Sequence, residues 1–270
     1  MNDALLARIA DALDRLVPPV PAVADLQAGD AFVWTTAGLR AVAAARAQPL
    51  AAFVGVDAQR DALHENSRRH ARGLPAHDVL LWGARGMGKS SLVKAVAAEL
   101  RREGHDLALI QVARDDIATL PALFETLAGT WCQVLIFADD LSFEADETQY
   151  KALRSILDGG IAARPENARL VVTSNRRHLV PRLHAEADAV NSRDVLDDRL
   201  ALADRFGLSL GFHNCDQNTY LAIVAGYGAA HGLATDPQAA LAWAVQRGHR
   251  SGRVAWQFIE EVAGAAGRRL

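Results

Sequence analysis

The chain has 270 residues, of which 50% are apolar and 23% are charged, and its formal net charge is −3. This length suffices for one large or two modest domains with a buried core, and the composition is that of a soluble globular protein. The near-neutral charge gives no global basic field that would argue for nucleic-acid binding, and no apolar run reaches the length of a membrane span.

The first 50 residues are predicted to form a mostly helical N-terminal region of unknown role. Apolar residues recur with helical spacing over 3–17, and the proline-rich segment at 18–21 ends that helix. After the apolar triplet at 32–34 we expect an alanine-rich helix that runs through Val42. A further helix is predicted from about 57 to 72.

Strand-like and helix-like segments alternate in the middle of the chain, which predicts a parallel sheet between helices. The five predicted strands are 79–82, 107–112, 133–138, 169–174 and 207–211. The predicted helices between them lie near 90–102, 116–128, 145–158 and 193–203. After residue 213 the strands stop, and three helices are predicted at 216–231, 236–247 and 251–267. The predicted units are therefore residues 1–50, a sheet domain at 51–213 and a small helical domain at 214–270.

The most informative segment follows the first predicted strand. From Gly83 to Ser90 it matches the phosphate-loop pattern G-x-x-x-x-G-K-[ST], although a glycine-rich turn before an ordinary helix is the alternative. Glycines leave room for a phosphate against bare backbone N–H groups, and the N-terminus of the next helix attracts an anion. Lys89 is expected to reach the β- and γ-phosphates of a nucleotide, and the Ser90 hydroxyl to ligate Mg²⁺. The predicted nucleotide-binding residues here are Gly83, Ala84, Arg85, Gly86, Met87, Gly88, Lys89, Ser90 and Ser91.

The predicted strand at 133–138 ends in two carboxylates, Asp139 and Asp140. An aspartate that holds Mg²⁺ at the end of a core strand is the expected partner of a phosphate loop, so we assign Asp139 as a metal ligand. Asp140 would then orient and activate the attacking water. The alternative is a strand end followed by solvated aspartates in a turn.

Three more polar residues are candidates for this site. Asn175 ends an apolar strand that we expect beside the acid pair, where its amide would bond the attacking water or the γ-phosphate; alternatively it starts a turn. Arg205 precedes the last strand and carries a guanidinium suited to a transferring phosphoryl group, in a neighbouring subunit's site; the alternative is a surface pair with Asp204. Arg253 opens the last helix and would fold back onto the nucleotide, unless it is simply solvated.

Together these segments resemble an AAA+ ATPase over roughly residues 50 to 270. The resemblance implies a P-loop AAA+ core of the α/β class, with a five-stranded parallel sheet, a three-helix lid after it and a helical region before it. It also implies that the loop and the acid pair are the two Walker motifs and that Asn175 and Arg253 are the first and second sensors. By the same resemblance Arg205 is the arginine finger, and Val54 and Gly55 line the adenine pocket.

More narrowly, several segments are similar to an uncharacterised bacterial family, domain of unknown function 815. The segments that carry this similarity are Asn66-Ser67, Leu81-Trp82-Gly83-Ala84-Arg85-Gly86, Asp139-Asp140-Leu141-Ser142-Phe143, Thr173-Ser174-Asn175-Arg176-Arg177-His178-Leu179 and Asp204-Arg205-Phe206-Gly207-Leu208. The sequence departs from the general AAA+ pattern at Asp140, where the second acid is usually Glu. The side chain is one methylene shorter, and a misplacement near 1 Å can cost about 10²-fold in rate.

The first functional interpretation is a Mg²⁺-dependent ATPase whose nucleotide state acts on an unknown protein or nucleic-acid partner, as a homo-oligomeric ring or spiral. The second is a nucleotide-gated scaffold that binds ATP with negligible hydrolysis. A small-molecule phosphotransferase shares the loop but gives no reason for an arginine finger or a helical lid. Cys132 and Cys215 lack the paired spacing of a zinc or redox motif, and the N-terminus lacks the features of a signal peptide. We therefore expect reduced thiols and a cytoplasmic protein without a membrane partner.

Overall fold

The computed structural model describes residues 26, 29–43, 47–141, 147–159, 164–175 and 202–270. Within these ranges it contains seven β-strands and seven α-helices. The strands are β1 (Ala31–Thr35), β2 (Gly38–Val42), β3 (Val79–Gly83), β4 (Leu107–Val112), β5 (Gln133–Ala138), β6 (Ala168–Ser174) and β7 (Leu208–Phe212). The helices are α1 (Asp57–Ala71), α2 (Lys89–Arg102), α3 (Leu120–Leu127), α4 (Glu147–Leu157), α5 (Gln217–His231), α6 (Pro237–Gln246) and α7 (Gly252–Ala265).

All seven strands belong to one sheet, in the order β2-β1-β4-β5-β6-β3-β7. The β1–β2 pair is antiparallel, and each of the other pairs is parallel. The five predicted strands correspond to β3 through β7, and their ends differ from the prediction by at most one residue. Because β3 lies between β6 and β7, and β5 lies beside β6, the loops after these strands open at one edge of the sheet.

The sheet has two strands more than predicted because residues 31–42 form a hairpin. The prediction of an alanine-rich helix through Val42 is therefore wrong. Phe32 and Trp34 alternate into the core, where they are 1% and 4% exposed, and Gly38 turns the chain with φ 105°. Pairing of β1 with β4, together with a 2.8 Å hydrogen bond from Trp34 Nε1 to Thr119 Oγ1, outweighs the helix propensity of the alanines.

Each face of the sheet is covered by a separate hydrophobic cluster. Val79 and Leu81 of β3 pack with α1 and α2 on one face, whereas Leu80 packs with α3 on the other. This division follows from the alternation of side chains along a strand. Leu92 and Leu100 of α2 lie about two helical turns apart and are both fully buried. Their burial fixes the start of α2 at the carboxyl end of β3.

Three helices follow β7, at the predicted positions to within two residues, and they share a hydrophobic cluster of their own. Asp216, Asp236 and Ser251 cap α5, α6 and α7 by accepting hydrogen bonds from N–H groups of the first turns. The start of α7 is fixed to the phosphate loop, because the N–H of Arg253 donates a 3.0 Å hydrogen bond to the carbonyl of Gly86. The C-terminal helices therefore adjoin the loop directly.

The remaining helix predictions have different outcomes. The helix expected at 116–128 begins at Leu120, since Arg114–Thr119 form a 3-10 helix before it and Pro121 suits the first turn of an α-helix. The predicted helix at 3–17 and most of that at 193–203 lie outside the described residues. Within the ranges that the structure describes, no helix combines the length and apolarity needed to cross a membrane.

Candidate nucleotide-binding site

A cavity of about 630 Å³ opens where the loops after β3, β5 and β6 meet the C-terminal helices. Residues 85–91, from the phosphate loop and the first turn of α2, form one wall. Polar residues that follow or end β5 and β6 form a second wall, and α5 and α7 contribute a third. The cavity lies at the carboxyl ends of parallel strands and has the volume of a small-molecule site.

Two glycines shape the phosphate loop. A Cβ on Gly83, which has φ 123°, would lie 2.0 Å from the carbonyl oxygen of Phe212, so only glycine allows β3 to end this close to β7. Gly88 has φ 87° and immediately precedes α2, a helix that no side chain of the described residues caps. The first N–H groups of α2 therefore remain available to an anion, which the helix dipole also attracts.

Lys89 lies beneath the loop and is 6% exposed. Its Nζ donates hydrogen bonds of 2.8 Å to the carbonyl oxygens of Gly83 and Ala84. A third hydrogen bond, of 3.2 Å, reaches Oδ1 of Asn175. Gly83 and Ala84 therefore contribute to the site by holding the lysine, whereas Arg85 through Ser91 line the cavity.

The surroundings of Lys89 disfavour its charged, ammonium form. Burial lowers the pKa of Lys89 to about 8, although the carboxylates of Asp140 and Asp139 favour the ammonium form. Arg85 and Arg253 line the same cavity and lower the pKa further by repulsion. Three cationic side chains thus converge on one cavity, and a polyanion would satisfy all of them.

Asp139 accepts two hydroxyl hydrogen bonds at a single oxygen. Ser90 Oγ and Thr173 Oγ1 both donate to Oδ1 of Asp139, each at 2.5 Å. The phosphate loop and the acid pair, which are 49 residues apart in the sequence, are therefore in direct contact. A serine hydroxyl and a carboxylate are hard oxygen ligands of the kind that Mg²⁺ takes alongside nucleotide phosphates and water.

Asp140 and Asn175 form the next contact in this network. The Asn175 side-chain amide donates to Oδ1 of Asp140, and its own oxygen accepts from Lys89. Asp140 is exposed and lines the cavity. The structure thus brings together five of the residues assigned from the sequence to phosphate, metal or water, namely Lys89, Ser90, Asp139, Asp140 and Asn175.

Of the three residues predicted to contact the nucleotide from outside the phosphate loop, Val54, Gly55 and Arg253, two line the cavity. Val54 and Arg253 line the cavity. Gly55 does not line it; a Cβ at this glycine, which has φ 78°, would lie 2.3 Å from Cγ2 of Thr219 on α5. Gly55 therefore allows the segment before α1 to pack closely against the C-terminal helices.

Arg205 does not line the cavity of its own chain. Its Nε donates to Oδ1 of Asp158, just after α4, and the other oxygen of Asp158 is 3.7 Å from Nε of Arg154. The surface ion pair that the structure shows for Arg205 is with Asp158, whereas the alternative inferred from the sequence was a pair with Asp204. Lys89 lines the cavity and Arg205 does not, and a role for Arg205 in a neighbouring subunit's site stays a prediction.

Sequence reasoning missed several residues of the cavity. Tyr227 and Trp256 meet edge to face with ring centroids 5.3 Å apart, and Tyr227 Oη is 3.4 Å from Oε1 of Gln48. All three line the cavity, as does Thr173. Tyr227 and Trp256 each lie within a helix predicted from apolar spacing, so the sequence alone does not distinguish them from ordinary core residues. Thr173 lies within an apolar strand and gives no separate signal.

A phosphate loop after β3, an acid pair in contact with it and a helical unit over the cavity define a P-loop protein of the AAA+ class. Within that class the chain belongs to the family described as protein of unknown function (DUF815), whose model matches residues 27–266. This confirms the family resemblance inferred from the motifs. A search among curated proteins gives no match.

Solved structures support the same fold. The chain is similar to the Holliday junction branch migration motor RuvB of Thermotoga maritima, with TM-score 0.53 and 18% identity over 83% of this chain and 67% of that one. It is also similar to Orc1 of Aeropyrum pernix, determined in complex with DNA, with TM-score 0.56 and 17% identity over 79% of this chain and 61% of that one. At such identities the likeness establishes the fold and leaves the activity to be argued from the site.

Proposed function

We propose that the protein binds ATP with Mg²⁺ in this cavity and hydrolyses it, slowly, to ADP and phosphate. In this proposal residues 51–213, together with the β1–β2 hairpin that pairs with β4, form the nucleotide-binding domain, and 214–270 form a lid whose position depends on the bound nucleotide. The observation that carries the proposal is the hydrogen-bonded network that joins Lys89, Asn175 and Asp140 on one side and Ser90 and Asp139 on the other.

The residues present fit ATP and Mg²⁺. Ser90 and Asp139 would hold the metal ion, and Oδ2 of Asp139 makes no hydrogen bond to the part of the chain that the structure describes. When bound, Mg²⁺ would neutralise charge that develops on the phosphates. Lys89 and the uncapped start of α2 would bind the phosphate oxygens. Arg253 and Arg85 would add positive charge at the edge of the cavity.

Asp140 is the general base in this proposal. Its carboxylate is exposed to the cavity, so it can accept a proton from a water molecule that attacks the terminal phosphate. Asn175, whose side-chain amide donates a hydrogen bond to that carboxylate, would orient the same water. Arg205 would stabilise the phosphoryl charge from a neighbouring subunit in a head-to-tail ring or spiral, because it lies away from its own cavity.

The alternative function is a nucleotide-gated scaffold. It is favoured by the hydrogen bond that the Asn175 side-chain amide donates to Oδ1 of Asp140, since this bond occupies a carboxylate oxygen that would otherwise accept from the attacking water. In either case the nucleotide state would be read by an unknown protein or nucleic-acid partner. The likeness to RuvB and to the DNA-bound Orc1 supports a nucleic-acid client.

Phosphate release at saturating MgATP distinguishes the two functions. We expect the wild-type chain to release phosphate continuously, and Asp140→Asn to keep ATP affinity while losing turnover, because the amide has the same shape but accepts no proton. Continuous release by Asp140→Asn at the wild-type rate would exclude Asp140 as the base. Tight ATP binding by the wild type without any release would support the scaffold.

A further inference from the structure

Thr173 contacts three consecutive residues at the end of the neighbouring strand. Its hydroxyl donates to Oδ1 of Asp139, at 2.5 Å, and accepts from the N–H of Asp140, at 2.8 Å. Its carbonyl oxygen accepts from the N–H of Leu141, also at 2.8 Å. Thr173 is 1% exposed, so bulk water has little access to these hydrogen bonds. One buried side chain thus connects the proposed metal ligand with the backbone of the proposed base.

The backbone of Asp140 is in an unusual conformation. Its φ is 52°, and within the described residues it is the one residue other than glycine with a positive φ. Aspartate enters the left-handed region at a cost and remains there when the surrounding structure holds it. β5 ends two residues earlier, at Ala138, so the turn redirects the Asp140 side chain relative to the alternation of the strand.

We propose that Thr173 is a positioning residue that holds the backbone of Asp140 in its left-handed conformation and thereby sets where the carboxylate lies in the cavity. This inference rests on the proposed function, in which Asp140 activates the attacking water. Asp140 is one methylene shorter than the glutamate usual in AAA+ proteins. A backbone turn held by Thr173 brings the shorter side chain to the attacking water by moving its point of attachment.

The hydroxyl of Thr173 is the group that holds the Asp140 backbone, because it accepts the hydrogen bond from the Asp140 N–H. Valine has nearly the same shape but neither accepts from the Asp140 N–H nor donates to Asp139, whereas serine does both. The hydrogen bond from Asn175 to Asp140 reaches the side chain of Asp140. It therefore does not replace the hydrogen bond from the backbone N–H of Asp140 to the Thr173 hydroxyl. The Leu141 N–H bonds to the Thr173 main chain and is therefore insensitive to the side chain at 173.

Amide hydrogen exchange, followed by NMR in the nucleotide-free full-length chain, tests the hydrogen bond itself. In Thr173→Val the Asp140 amide should exchange about tenfold faster, roughly the factor that one net hydrogen bond supplies, while the Leu141 amide changes little. Thr173→Ser should restore protection at Asp140. Equal exchange at Asp140 in the wild type and Thr173→Val would overturn the proposal, and so would equal acceleration at both amides.

Turnover tests the consequence for the base. Thr173→Val should lower kcat by about 10- to 100-fold, the usual effect of removing a group that orients a site residue, and Thr173→Ser should recover most of it. Thr119→Val is the matched control, because it removes a hydroxyl that accepts from Trp34 Nε1 outside the cavity. This control should lose stability but keep kcat. A loss of kcat in Thr119→Val equal to that in Thr173→Val would contradict positioning.

The two proposals fail differently. If the wild type releases no phosphate, the proposed hydrolysis fails, and amide exchange at Asp140 still decides the role of Thr173. If the wild type is active and Thr173→Val keeps its full kcat, hydrolysis stands and the positioning role is wrong.

Discussion

The lowered pKa of Lys89 predicts that ATP binding takes up a proton near pH 8. Burial holds the pKa at about 8 in the free protein, and bound phosphates would raise it by stabilising the ammonium group. From a pKa of about 8, the protein should take up about 0.1 proton per ATP at pH 7, about 0.5 at pH 8 and about 0.9 at pH 9. ATP affinity should therefore fall about tenfold between pH 7 and pH 9.

The stability of the free protein should change with pH in the opposite direction. The pKa of Lys89 is below its usual value of 10.5 in the folded state, so the unfolded chain binds more protons between about pH 8 and that value. This group therefore makes the folded protein more stable as pH rises through that window, while its contribution to ATP affinity is lost. Opposite pH trends in stability and affinity distinguish Lys89 from a general effect of alkaline unfolding.

Isothermal titration calorimetry in buffers of different ionisation enthalpy measures the proton uptake directly. Asp140→Asn is an informative variant, because the Asp140 carboxylate raises the pKa of Lys89. Its removal should lower that pKa further and increase uptake at pH 8 above the wild-type value. If wild-type binding takes up no proton at pH 8 and pH 9, or if Asp140→Asn takes up less than the wild type, this account of Lys89 is wrong.

Three further outcomes are predicted. Asp139→Ala should bind ATP with an affinity that no longer depends on Mg²⁺, because the substitution removes a metal ligand. ATP titrations with and without Mg²⁺ measure this, and the same Mg²⁺ dependence in the variant as in the wild type would contradict it. Gly83→Ala should lower the free energy of unfolding in urea by about 1 to 3 kcal/mol more than Gly73→Ala, since the new Cβ meets a carbonyl oxygen at 2.0 Å in one case and nothing within 4 Å in the other; equal losses would refute the packing argument. Mixing Arg205→Ala with Lys89→Ala protein should recover turnover that neither has alone, and full activity of Arg205→Ala by itself would exclude a finger supplied by a neighbour.

The core of the fold could be predicted from the sequence because its signals are local. Each strand from β3 to β7 is a short apolar run, and the phosphate loop, Asp139 and Asn175 directly follow or end such runs. Parallel strands bring these ends to one edge of the sheet, so motif spacing was enough to predict that the side chains meet.

The parts that could not be predicted depend on contacts distant in the sequence. Residues 32–35 have strand-favouring side chains, but the pairing of β1 with β4 that places the hairpin in the sheet joins segments about 75 residues apart and leaves no local signal. Tyr227 reaches the cavity beside Gln48, a residue 179 positions away, and no periodicity encodes that contact. The role of Thr173 depends on a φ of 52° at Asp140, a backbone angle that a strand-forming run does not indicate.

Equilibrium binding of a fluorescent ATP analogue to the wild type and to Lys89→Ala, with Mg²⁺ present, tests the central claim most directly. Lys89 is the cation beneath the phosphate loop, so its removal should abolish measurable binding while circular dichroism shows an unchanged fold. The account predicts saturable binding by the wild type and none by the folded variant. Near-normal affinity in folded Lys89→Ala, or no binding by the wild type, would contradict it.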